Sequence, residues 1–163
     1  MAIFFTRFIL PVSTGYTARP DWEGCWKIYT ICTGADRRTN TTNADISVLD
    51  STDKKAALTS YVNLLDKAHT GQSFNNLYDT TQCHEAHSFK FKGKAVKIFR
   101  IWGAGVIRIY FLYLPEMNIV ILKTWPKRKD KLSKGEKTEL EAIAEQVEID
   151  ETIKPVEEEK IEK

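Results

Sequence analysis

The sequence is poor in several things that would each have pointed to a class of protein. It holds only three cysteines, Cys25, Cys32 and Cys83, with no CxxC pair among them. That argues against a disulfide framework and suits a reducing compartment. No apolar run reaches the length of about 20 residues that a membrane helix requires. The apolar start, Met1 to Leu10, is broken by Arg7 and has no basic residue ahead of it, unlike a secretory leader. A cytoplasmic protein without a membrane segment is expected. Net charge is also small, +2 over 163 residues, and no internal repeat is visible.

The small total conceals an uneven distribution. Between Lys90 and Lys137 thirteen basic residues face three acids, an excess of ten positive charges. From Thr138 onward ten acids face three bases, an excess of seven negative charges. A basic body is thus followed by an acidic tail. The tail's plainest role is to improve solubility.

Periodicity divides the rest. Residues 1–20 read as an N-terminal arm with room for one edge strand, residues 21–147 as one domain, and residues 148–163 as a disordered acidic tail. Cys25–Cys32 is rich in aromatic and β-branched residues, bounded by Gly24 and Gly34, and predicts a strand. The polar stretch 35–50 reads as a loop. Leu58, Tyr61, Val62, Leu65 and Ala68 share one helical face and predict a helix over 54–68, with Asp53 as its N-cap and Gly71 as its stop.

Residues 72–88 give no strong signal. Three strands follow, Val96–Trp102, Val106–Tyr113 and Asn118–Trp125, with connections so short that only an antiparallel meander is possible. Ser133 and Glu136 form a capping box for a last helix with the apolar stripe Leu140, Ile143, Ala144 and Val147. The expected fold is α+β: a small antiparallel sheet of strand, helix, three-strand meander and C-terminal helix, with the helices packed on one face.

Two groups carry possible chemistry. In the second meander strand Ile107, Ile109, Phe111 and Tyr113 point one way, and Arg108 and Tyr110 the other. A guanidinium that grips phosphate beside a ring that stacks on a base is what single-stranded nucleic acid needs. Taken alone, an ordinary surface arginine is the plainer reading. Next, Lys127, Arg128, Lys129 and Lys131 sit between a strand and a helix N-terminus, where free backbone donors also favour an anion. The meander brings this turn towards Arg100 and Arg108. Cys83, His84 and His87 lack a fourth donor at zinc spacing and read as polar loop residues, with either histidine an outside candidate for an acid near the site. No metal or other cofactor is expected.

The series Val96–Ala144 (VKIFRIWGAGVIRIYFLYLPEMNIVILKTWPKRKDKLSKGEKTELEAIA) resembles the RelE/ParE superfamily of toxins from toxin–antitoxin pairs, in particular its HigB/RelE-like branch. The shared pattern is a strand ending in Arg100, a glycine turn, an Arg-Ile-Tyr-Phe strand from Arg108, an apolar strand, a basic turn and a helix. The likeness is clear over about 50 residues and looser over about 120. The first twenty residues have no counterpart, and Lys134 or Glu136 stands where some relatives carry a catalytic tyrosine.

The resemblance implies an endoribonuclease, an mRNA interferase that inhibits translation. Its partners would be mRNA, the ribosome and a cognate antitoxin protein. The RNA 2′-hydroxyl attacks the adjacent phosphate without a metal, and the protein stabilises the extra charge. On this reading Arg108, Arg128, Lys127 and Lys131 are catalytic, while Arg100, Tyr110, Lys97, Lys129 and Lys134 bind RNA. Arginine stays protonated, so a proton carrier would be a lysine whose pKa is depressed by its neighbours, drawn from Lys97, Lys127, Lys129 and Lys131. Two rivals remain: a ParE-like inhibitor of DNA gyrase, and a non-catalytic RNA- or ribosome-binding module.

Overall fold

A computed structural model describes residues 4–10, 23–32, 40–127 and 131–149. In chain order the elements are β1 (Phe4–Arg7), β2 (Lys27–Cys32), α1 (Thr41–Ser47), α2 (Ser51–His69), α3 (Phe74–Leu77), β3 (Cys83–Phe91), β4 (Lys94–Trp102), β5 (Ile107–Leu114), β6 (Asn118–Pro126) and α4 (Lys134–Ile149). The fold is α+β, with one six-stranded sheet in the order β1-β2-β6-β5-β4-β3.

Several expectations are corrected. The sheet is mixed, because β2 pairs with β6 in parallel while every other neighbour is antiparallel. The meander has four strands: β3 occupies much of the stretch that gave no signal and joins β4 through the tight turn Lys92-Gly93. Both turn residues have positive φ, 52° and 78°, as a two-residue hairpin turn demands. The stretch read as a loop contains α1, capped by Asn40, whose side chain accepts from the Asn43 N–H.

Helices also cover both faces rather than one. Below the sheet, α1, α2 and α3 bury Ile46, Ala57, Tyr61, Leu64 and Phe74 against Ile28, Ile101, Ile107, Ile109, Phe111 and Ile121. Above it, α4 buries Leu140, Ala144 and Val147 against Tyr29, Ile98, Tyr110, Leu112 and Leu122. Two-sided cover explains why β5 and β6 are apolar at nearly every position.

The helix predictions stand with small shifts. α2 starts earlier, capped by Asp50 instead of Asp53, and its buried face is centred on Ala57, Tyr61, Leu64 and Ala68, with Leu58 and Val62 at the margin. At α4 the capping box is present: the Glu136 N–H donates to Ser133 Oγ at 3.1 Å, and the Ser133 N–H to Glu136 Oε1 at 2.8 Å. The boundary drawn at 148 falls inside this helix. β1 fills the place of the expected edge strand, at one margin of the sheet.

Two bulges decide which side chains meet α4. In β3 the register shifts between Glu85 and His87, so His87 pairs with Ile98 and faces α4, where its Nε2 lies 2.7 Å from Glu141. In β6 the shift places Lys123 opposite Tyr110, and Leu122 is buried on the same side. Beyond Val120 the edge of β6 is no longer paired by β2, and α1 takes over: Asp45 accepts from the Thr124 N–H at 3.0 Å. Burial raises the Asp45 carboxyl above its usual range, opposed by that N–H and by Lys123. Tyr61 of α2 hydrogen-bonds Thr124 from below.

The β4–β5 turn is seated on α2. Ser60 Oγ accepts from the Ala104 N–H at 2.8 Å, and a Cβ on Gly103 would lie 2.4 Å from Ser60 Cβ and 3.1 Å from its Cα. Gly103→Ala therefore forces the turn off the helix and is expected to cost about 1–3 kcal/mol in urea denaturation. Gly93→Ala, with open space around it, suffers only its left-handed backbone, about 1 kcal/mol. Equal losses for the two variants would contradict this seating.

Candidate nucleic-acid interface

Antiparallel register sets two rows of side chains across the α4 face at one end of the sheet. The outer row is Trp102–Arg108–Trp125, each a direct neighbour of the next across β4, β5 and β6. The inner row is His84–Arg100–Tyr110–Lys123, on β3 to β6. Lys127 follows immediately, its N–H donating to the Val106 carbonyl at 2.7 Å.

The outer row joins a cation to two indoles. The Arg108 guanidinium carbon lies 4.6 Å from the centre of the Trp102 ring, a cation–π contact of about 0.5–1 kcal/mol at a partly exposed site. Trp102 is 38% exposed, and its Nε1–H donates to the Gly105 carbonyl at 2.8 Å, which fixes the ring across its own turn. Arg108 is only 5% exposed, so the guanidinium lies against the Trp102 ring instead of projecting into water. The stack presents the Trp102 ring as an aromatic surface, with the Arg108 charge held close behind it.

The inner row is mostly occupied. Tyr110 is fully buried under α4 and packs edge-on against Trp125, with ring centres 5.6 Å apart. It therefore does not present its ring to a base, contrary to the sequence reading; the face that alternation leaves open is closed here by Leu140 and Ala144. Arg100 is also buried, its Nη2 donating to the Thr81 carbonyl at 2.8 Å and lying 3.4 Å from His84 Nδ1. Lys123 bridges Asp45 at 3.1 Å and Glu139 at 3.4 Å. Burial opposes its charge, but those two carboxylates raise its pKa.

Among the other predicted residues, Lys127 converges on the site and is paired with Glu136 at 2.8 Å. Lys131 and Lys134 are exposed beside the start of α4. Lys97 does not converge: it lies on the face of Phe99 and Ile101, opposite Arg100, with its amine 3.9 Å from Glu85. Its odd position in the strand turns it away. Arg128 and Lys129 lie outside the described residues.

Cys83, His84 and His87 are strand residues, not loop residues, and do not converge as ligands. Cys83 is buried in the lower core, His84 is exposed on the upper face, and His87 is paired to α4. Among the described residues no group of three potential ligands is placed to hold a metal. Burial pushes the Cys83 thiol up to about 11, a value that suits packing better than nucleophilic chemistry.

Sequence reasoning missed Trp102 and Trp125, which become visible only once the register is known. His84 was an outside candidate for an acid, read as a loop residue because the bulge in β3 interrupts the alternation that would have revealed the strand.

Fold and site together define an α+β protein with a cationic, tryptophan-flanked sheet end, and among the described residues no helix is long and apolar enough to cross a membrane. No protein-family model, curated protein or solved structure matches the chain.

Glu136 ties the site to the fold. Partial burial opposes its ionisation, but hydrogen bonds from Lys127 and from the Ser133 N–H outweigh this and lower its pKa. A pKa lowered by folding contributes stability in full above the ordinary value of 4.5 and loses it as the pH falls through the folded value. Glu136→Gln should therefore be less stable than wild type at pH 7 by about 0.5–1 kcal/mol, the scale of a partly exposed cap and ion pair. Thermal unfolding at pH 7 and pH 3 should show that gap closing on acidification; a gap that persists would refute the assignment.

Proposed function

We propose that this chain binds single-stranded RNA at the Trp102–Arg108–Trp125 end of the sheet and cleaves it, as a translation-inhibiting endoribonuclease toxin of the RelE/HigB kind. The observation that carries the reading is the cross-strand row itself. Arg108, which with Arg128 the resemblance marks as a phosphate clamp, lies stacked on the exposed Trp102 indole and pairs across the strands with Trp125. Arg100 and Lys127 lie next to it, and the N-terminus of α4 adds positive potential. The described order of two strands, three helices, a four-strand meander and a helix contains the strand, helix, three-strand meander and helix of the resemblance, with β1, α1, α3 and β3 in addition.

The chemistry asked of these groups is electrostatic. The 2′-hydroxyl attacks the neighbouring phosphate, an additional negative charge develops on its oxygens, and Arg108 supplies a fixed opposite charge. Trp102 supplies a stacking surface for a base flanking that phosphate, worth about 1–3 kcal/mol per base. An antitoxin protein would hold the activity in check, and the ribosome is the place where the RNA is presented.

A second reading, a non-catalytic RNA- or ribosome-binding module, is favoured by two observations: Lys127 is engaged by Glu136, and Tyr110 is buried. Both readings use the same row. Cell-free translation of a defined mRNA, with primer extension to map 5′ ends, separates them. Wild type should create new ends. Arg108→Ala should abolish them, and Trp102→Ala should weaken RNA affinity by about 5- to 100-fold. Stalled translation of intact mRNA would select the binding module. Unaffected translation would overturn the RNA reading and bring gyrase inhibition forward.

A further inference from the structure

We propose that His84 is the general base of this site, taking the proton from the attacking 2′-hydroxyl. The inference rests on the ribonuclease reading above and supplies the proton carrier that it lacks. His84 is not part of the Val96–Ala144 series; it lies on β3, and only the register brings it to the site.

Three features of its surroundings support the role. His84 is the direct cross-strand partner of Arg100, in the row adjoining Trp102 and Arg108, so it borders the phosphate-binding groups on the same face. Its Nδ1 lies 2.8 Å from the Thr80 carbonyl, an oxygen that can only accept. Arg100 Nη2, which can only donate, is farther from Nδ1 at 3.4 Å; on the shorter contact Nδ1 carries the hydrogen, and in the neutral ring Nε2 keeps the lone pair that a base requires. Finally, the side chain is exposed, whereas the other candidates are compromised: Lys127 is ion-paired, Tyr110 is buried and Lys97 is on the far face.

The charged groups around the ring are few. Arg100 on β4 lies 3.4 Å from Nδ1. In the turn before β3, Asp79 spends its carboxylate on Thr81 and Gln82. Further along β3, His87 is paired with Glu141 of α4.

The step balances without a metal. The 2′-O–H bond breaks and its proton passes to His84 Nε2, the 2′-oxygen forms a bond to phosphorus, and the P–O5′ bond breaks. The 5′-oxygen takes a proton from solvent water, and His84 later returns its own to solvent. The products are a 2′,3′-cyclic phosphate and a 5′-hydroxyl.

The test is single-turnover cleavage on programmed ribosomes across about pH 5–8, the range in which an imidazole changes charge. Wild type is compared with His84→Gln, which cannot titrate, and with His84→Ala in the presence and absence of added imidazole. The expected result is a rate lowered by about 100- to 10,000-fold in His84→Gln, loss of the rising limb of the pH profile, and partial rescue of His84→Ala by imidazole. Affinity for an RNA carrying a 2′-deoxy nucleotide at the cleavage position should stay unchanged. Cleavage by His84→Gln at the wild-type rate, with the same pH limb, would overturn the role of His84 and leave the ribonuclease reading standing. An intact substrate with wild-type protein would overturn both.

Discussion

The seating of α4 on the sheet is the constraint from which the rest follows. Its stripe of Leu140, Ala144 and Val147 lies over Tyr110, Leu112 and Ile98, and each large apolar side chain buried there contributes about 1.5–3 kcal/mol. Around that stripe the helix's acids meet the sheet's bases: Glu136 with Lys127, Glu139 with Lys123, Glu141 with His87 and Glu148 with Lys94. Partly exposed pairs of this sort contribute about 0–1 kcal/mol each. The apolar stripe thus holds the helix down, and the pairs fix its rotation and register. Lys94, Lys123 and Lys127, three of the thirteen bases between Lys90 and Lys137, are engaged internally in this way.

What α4 leaves uncovered is then decisive. The helix begins beside Lys127, so its first turn borders the Trp102–Arg108–Trp125 row without closing over it. In the inner row Arg100 and Tyr110 are buried and His84 is exposed; in the outer row Trp102 is exposed, with Arg108 stacked on it. The β4–β5 turn that carries Trp102 is itself pinned to α2 through Ser60, so the open end of the sheet is braced from the opposite side. A rigid stacking surface suits the recognition of RNA better than a mobile one, because less ordering is required on binding.

Much of this fold was legible in the sequence, for reasons that can be named. The meander strands β4, β5 and β6 and helices α2 and α4 carry strong periodicity and clear turn or capping residues, and Ser133 and Glu136 do what their spacing implies. β3 was hidden by the bulge at Glu85–His87, which breaks its alternation. α1 was hidden because its seven residues are mostly polar and carry no apolar stripe; Ile46 in the lower core and Asp45 at the edge of β6 hold it. The parallel pairing of β2 with β6 depends on long-range contacts that no local pattern encodes. Within the site, Arg100, Arg108 and Lys127 were correctly brought together, but Tyr110 was assigned to the surface because the second layer of helix above it could not be foreseen from β5 alone.

RNA bound as proposed would touch the outer row and not the face covered by α4. The chain's tryptophans allow a direct check, because Trp102 and Trp125 flank Arg108 whereas Trp26 lies with Phe74 and Tyr113 on the opposite side of the sheet. Titrating a short single-stranded RNA into protein labelled with fluorotryptophan and following the fluorine resonances reads each ring separately. The expected result is that the signals of Trp102 and Trp125 move with one binding curve while that of Trp26 stays in place. Movement of Trp26 alone, or none at all at concentrations where RNA is bound, would contradict it.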